Sequence, residues 1–242
     1  MIAKTHLFRQ YIPILMKSLI LLHGALGAKG QLLDLKAELS DRFDVHVLNF
    51  SGHGGQPFAE KGYSMTQFAK EVEVYMHENN IPSANFFGYS MGGYVALTLA
   101  LQHPELVDNI MTYGTKFNWT IASAEAEVKM LNSEKILEKV PKFAKALQER
   151  HAPLDWQEVL QETAKLMLAL GAGAALTMDD FGKVKCPVLI THGTADNMVT
   201  EAESLSVVAA LPDAHFQPLA GQGHPIENVD LKLIAGILSL LR

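Results

Sequence analysis

The sequence predicts an α/β fold: a mainly parallel sheet with helices on both faces, interrupted once by a helical cap. Three observations carry this prediction. Short apolar runs, suited to strands covered on both faces, alternate with segments of helical period. The alternation lapses over 116–182, where only helical patterns occur, and then resumes. The loops richest in glycine, histidine and serine all follow the carboxyl ends of strand segments, where open parallel sheets place their ligand sites.

The elements follow in order. Residues 1–17 fit a short edge strand or hairpin. Ser18–Leu22 is a continuous apolar strand, ending in His23-Gly24-Ala25-Leu26-Gly27. A helix over about 31–39 leads to a strand over 43–50. Next comes Ser51-Gly52-His53-Gly54-Gly55, too rich in glycine to be helical. Met65 to His77 repeats apolar residues Phe68, Val72 and Tyr75 at helical spacing. Ala84–Tyr89 reads as a strand, 94–101 as a helix stopping before Pro104, and Val107–Tyr113 as a strand. Within the insertion, Asp155-x-x-Glu158 opens a helix that runs to Leu170. Residues 187–191 and 214–219 are strands, 201–210 a helix, and 226–241 a final helix. The core domain is therefore 1–115 together with 183–242, and the helical cap is 116–182.

Composition narrows the function classes. The chain has 242 residues, 48% of them hydrophobic and 19% charged, enough for one large core. A net charge of -6 without a basic run argues against nucleic acid or an anionic membrane as partner. The single cysteine, Cys186, precedes Pro187 and reads as a buried structural thiol. Ile12 to Leu22, after Lys4 and Arg9, looks like a signal peptide. Pro13 and Lys17 interrupt it, however, and no small-residue cleavage site follows. It is also short of the about 20 apolar residues a bilayer span needs. The expectation is a soluble, cytoplasmic monomer or homodimer.

The chemistry centres on Gly88-Tyr89-Ser90-Met91-Gly92, a G-x-S-x-G pattern between strand and helix. This is the setting of a nucleophile elbow. Gly88 and Gly92 suit a turn too tight for side chains. A serine hydroxyl needs a base, and the base an orienting acid. His224, in Gly221-Gln222-Gly223-His224-Pro225, is the candidate base. Asp196, in His192-Gly193-Thr194-Ala195-Asp196, is the candidate acid. Both follow strands, and the chain order Ser, Asp, His is that of elbow-type hydrolases. The N–H groups of Met91 and Ala25, with Leu26 the fallback, are the candidate oxyanion donors. His23, His53 and His192 read as structural. The scattered histidines do not make a metal site. Leu26, Phe117 and Trp119 are candidate substrate contacts, with Met130, Leu166 and Met167 nearby in the cap. The same helical spacing equally suits packing within the cap.

Taken together, these segments resemble the α/β-hydrolase fold superfamily. The resemblance implies about eight strands, a helical lid over the serine and no cofactor. It implies a serine hydrolase cleaving a carboxylic ester or related small-molecule acyl substrate. C–C bond hydrolysis or lyase chemistry on the same residues, or a ligand sensor that keeps them, are the alternatives. Asn49 and Ser51 stand where many relatives have Asp and Arg. A menaquinone-pathway lyase of the superfamily carries arginine immediately after its elbow, where this chain has Tyr94. That difference speaks against the lyase activity, as the serine does against haloalkane dehalogenation.

Overall fold

The computed structural model describes residues 16–241. Six strands form one sheet: β1 (Ser18–Leu22), β2 (Asp44–Val47), β3 (Ala84–Tyr89), β4 (Val107–Tyr113), β5 (Val188–Gly193) and β6 (Ala214–Leu219). Their order is β2-β1-β3-β4-β5-β6, and every neighbouring pair is parallel. The expected eight strands are thus corrected to six among the described residues. Eight was the family's count, whereas the chain's own apolar runs supply six. The glycine-rich loop after β2 and the helical insertion add none. The edge strand or hairpin expected near the amino terminus falls on residues 1–15, outside the described residues.

Side-chain alternation along the strands divides the core. Ile20, Leu22, Phe86, Ile110, Val188 and Ile190 face one side. There they meet α2 (Met65–Glu78), α3 (Met91–Gln102) and α9 (Glu201–Ala210). Leu19, Leu21, Phe87 and Met111 face the other side, against α1 (Leu33–Leu39) and α10 (Leu231–Leu238). This is the period of two that a strand buried on both faces must satisfy. Each fully buried Leu or Phe contributes about 1.5–3 kcal/mol. Helix α3 is buried from Met91 through Ala100. It is apolar all round because sheet, α2 and insertion enclose it.

Between β4 and β5 the chain forms α4 (Ile121–Val128), α5 (Ser133–Lys139), α6 (Pro141–His151), α7 (Trp156–Ala169) and α8 (Met178–Phe181). Asp155 caps α7, accepting from the Gln157 N–H at 2.9 Å. Ile136, Ala144, Leu147, Trp156 and Leu160 make a small apolar core of the insertion's own.

Two boundaries differ from expectation for visible reasons. The strand expected over 43–50 ends at Val47, because the next residues bond to side chains. The Phe50 N–H donates to His23 Nε2 at 3.3 Å, and Asn49 Nδ2 donates to the Gly54 carbonyl at 3.1 Å. The last helix begins at Leu231 rather than 226. Asp230 caps it through the N–H groups of Lys232 and Leu233, leaving Ile226–Asn228 as a single 3-10 turn.

Candidate active site

Ser90 sits between β3 and α3 with φ 51° and ψ -117°, a left-handed φ that costs a non-glycine residue energy. Its neighbours hold it there. The Ser90 N–H donates to the Tyr113 carbonyl at 2.8 Å. The Ser90 carbonyl accepts from Thr115 Oγ1 at 2.9 Å and from the Gly93 N–H at 3.1 Å. The flanking glycines are sterically required. A Cβ on Gly88 would lie 2.3 Å from Gly93 Cα, and one on Gly92 2.3 Å from the Leu22 carbonyl oxygen.

Asp196 and His224 come together from the loops after β5 and β6. His224 Nδ1–H donates to Asp196 Oδ2 at 2.8 Å, and the Asp196 side chain is shut off from water. The other carboxylate oxygen accepts from the N–H groups of Met198 at 2.8 Å and Val199 at 3.1 Å. Burial raises the Asp196 pKa. The hydrogen bond and charge of His224 and the two amides outweigh it, so the group stays below the ordinary aspartate value and ionised. Gly114, with φ 62°, backs this pair: a Cβ there would lie 3.2 Å from His224 Nδ1 and 3.3 Å from Asp196 Oδ2.

Ser90 and His224 line one cavity, which contains about 530 Å³ of empty space, part of it open to solvent. Ala25, Met91, Trp119, Leu166 and Met167 line it too. Leu26 and Phe117 lie outside that lining. Leu26 packs toward the insertion's small core, and Phe117 is buried against Tyr94 and Phe181. Met130 is exposed. Cys186 is buried, and burial pushes its thiol up to about 11. Among the described residues no three His, Cys, Asp or Glu side chains converge as metal ligands would.

Beside the cavity, the loop after β1 is tied to α6. Leu26, at φ 57°, offers its carbonyl to Arg150 Nη1 at 2.8 Å and His151 Nε2 at 3.1 Å. Arg150 also reaches Glu227 at 3.0 Å, just past His224 in the chain. His151 Nδ1 accepts from the Gly54 N–H at 3.1 Å. His23 donates from Nδ1 to the Gly24 carbonyl at 2.8 Å while its Nε2 accepts from Phe50. His53 lies between them, its ring 5.1 Å from His23 and 5.8 Å from His151. These partners fix neutral tautomers. His23 and His53 are thus bonded to loop backbone, His23 to Gly24 and Phe50 and His53 to Ser51. His151, inside the insertion, gave no sequence signal.

The three imidazoles predict acid sensitivity. Burial lowers His23 and His151 to about 4 and His53 well below its ordinary value, with mutual repulsion and Arg150 adding to it. Between pH 6.5 and about 4 the unfolded chain binds protons that the folded chain refuses. Stability therefore falls as pH drops through this window, by up to about 1.4 kcal/mol per pH unit for each imidazole. Thermal melting followed from pH 7 to pH 5 should show a steep loss of Tm. A flat profile would contradict the neutral cluster.

Comparison with known proteins shows what the chain is similar to. Residues 17–134 match the model of the alpha/beta hydrolase fold. The pimeloyl-(acyl-carrier protein) methyl ester esterase of Aeromonas hydrophila is 27% identical over 213 residues, 76% of this chain and 79% of that protein. Two solved structures share the fold. The enol-lactonase of Burkholderia xenovorans LB400 has TM-score 0.72 and 20% identity, covering 93% of this chain and 92% of that one. The 2-hydroxy-6-oxo-6-phenylhexa-2,4-dienoate hydrolase of Rhodococcus sp. strain RHA1 has TM-score 0.75 and 19% identity, covering 92% and 89%. The chain thus has the alpha/beta hydrolase fold, and the relatives it resembles are hydrolases.

Proposed function

We propose that the protein is a serine hydrolase that cleaves a carboxylic ester or related acyl compound. The observation that carries this reading is Ser90, held at a strained φ on the wall of the apolar cavity that also receives His224, itself bonded to Asp196. Ser90 Oγ attacks the substrate carbonyl carbon, and its proton passes to His224 Nε2. Asp196 keeps the other imidazole proton on Nδ1 and stabilises the imidazolium. The negative oxygen of the tetrahedral intermediate takes hydrogen bonds from the N–H groups of Ala25 and Met91. Collapse breaks the ester C–O bond, and His224 returns the proton to the departing alcohol. A water molecule, deprotonated by the same imidazole, then releases the acid and restores Ser90.

The named relative acts on a methyl ester, which agrees with an ester substrate here. In this reading helices α4–α8 form a cap over the serine, and the lining of Trp119, Leu166 and Met167 favours a small or medium apolar acyl group. A fluorophosphonate probe tests the mechanism directly. It should add one adduct mass to the peptide carrying Ser90. An unlabelled Ser90, or labelling at another serine, would overturn the covalent mechanism.

A further inference from the structure

One feature of the cavity wall is out of keeping with the rest. Its lining is mostly apolar, with Met65, Trp119, Leu166, Leu170 and Val199 among its residues, yet it contains the charged pair Lys116 and Glu127. Lys116 lies in the loop after β4, three residues past Tyr113, and Glu127 lies near the end of α4. Lys116 Nζ stands 3.3 Å from Glu127 Oε1, and the two side chains are 19% and 11% exposed. The ammonium also lies 5.7 Å from the centre of the Trp119 ring. Removing two charges this far from water is costly, and one contact does not use their capacity. An ammonium has three donors, and a carboxylate about four acceptor sites.

The other polar groups of this wall are already engaged. The Tyr94 hydroxyl accepts from the Leu176 N–H at 2.6 Å, and the Thr163 hydroxyl donates to the Val159 carbonyl at 2.7 Å. Lys116 and Glu127 are therefore the charged groups of this wall that keep hydrogen-bonding capacity beyond the contact between them. The loop carrying Lys116 is registered to the serine, because the adjacent Thr115 donates to the Ser90 carbonyl.

Resting on the reading of this cavity as the substrate site, we propose that Lys116 and Glu127 form a specificity clamp for a neutral polar group, an amide or hydroxyl, carried by the substrate away from its scissile ester. Lys116 donates to the oxygen of that group, and Glu127 accepts its N–H or O–H. A substrate carboxylate fits poorly, since it would meet Glu127 as well as Lys116. An alkyl end gains less than an amide or hydroxyl, since it gives neither charge a new partner.

The test is binding to the Ser90→Ala protein, followed by Trp fluorescence because Trp119 lines the cavity. The ligands are methyl esters of increasing chain length ending in a primary amide, a carboxylate or an isopropyl group of amide shape. Reversed esters carry the same ends on the alcohol side. For one orientation, the amide should bind about 10- to 100-fold more tightly than both of its counterparts, the range of a charge-assisted hydrogen bond. Adding Lys116→Met or Glu127→Gln should bring that ratio close to one. Because the ratio compares ligands on one protein, a partly unfolded sample shifts both members alike. Equal binding of all three ends, tighter binding of the carboxylate, or an advantage that survives both substitutions would each overturn the clamp. Failure of the serine mechanism would show separately, as an unlabelled Ser90 in the native protein.

Discussion

Ser90→Ala is expected to lower kcat on p-nitrophenyl butyrate by about 10⁶-fold, the scale found when a serine nucleophile is removed from a hydrolase. The fold should survive. The hydrogen bonds that hold the elbow use the Ser90 N–H and carbonyl, which alanine keeps. Alanine also tolerates φ 51° no worse than serine does. Thermal melting should therefore be almost unchanged while turnover collapses. Any residue of activity should reflect the remaining oxyanion donors and substrate binding. Turnover in the variant within about tenfold of the parent protein would refute the assignment of Ser90 as nucleophile.

The parts of the fold that could be read from sequence are those with local causes. Ala84–Tyr89, Val107–Tyr113 and Ala214–Leu219 run as strands with the expected bounds, and Glu201–Ala210 as the expected helix. In each, pattern and punctuation agree: an apolar or alternating run with Gly, Pro or a capping Thr close to one of its ends. Bounds failed where side chains intervened from afar. The second strand ended at Val47, three residues early, with the Phe50 N–H bonded to His23, 27 positions away in the chain. Asp230 started the last helix late by capping it. The pairing of His224 with Asp196 was anticipated, because rim loops converge in a parallel sheet. Lys116 with Glu127 was not, since nothing in their spacing marks a contact made through the turn before α4. Nor was His151, whose partners lie in the loops after β1 and β2.

Asn49 and Ser51, which depart from many relatives, turn out to organise the loop after β2. Asn49 Oδ1 accepts from the Lys29 N–H at 2.7 Å. Ser51 bonds Glu71 through its N–H at 2.8 Å and its hydroxyl at 2.6 Å. These contacts stand among loop scaffolding rather than on the wall of the cavity that Ser90 lines. The shared fold does not by itself set the substrate. Structures with TM-scores of 0.72 and 0.75 to this one include a lactonase and a phenylhexadienoate hydrolase. In this chain the segment between β4 and β5 supplies Trp119, Glu127, Thr163, Leu166, Met167 and Leu170 to the cavity lining.

Asp196→Asn is expected to reduce kcat by about 10⁴-fold, with little change in folding. The geometry explains why an isosteric change should cost so much. Asp196 Oδ1 accepts from Met198 and Val199 N–H, while Oδ2 accepts from His224 Nδ1–H. An asparagine must keep its carbonyl oxygen toward the two backbone donors, because its amide nitrogen cannot accept from them. The amide NH₂ then faces His224 Nδ1, and Nδ1 must become the acceptor. The imidazole proton moves to Nε2, the nitrogen that has to receive the proton of Ser90. The base is then blocked by its tautomer while every heavy atom stays in place. Substrate binding does not use this pair, so KM should change far less than kcat, and fluorophosphonate labelling of Ser90 should slow in parallel with turnover. A loss of less than about tenfold in kcat, or a fall confined to KM, would show that Asp196 does not set the tautomer of His224 during catalysis.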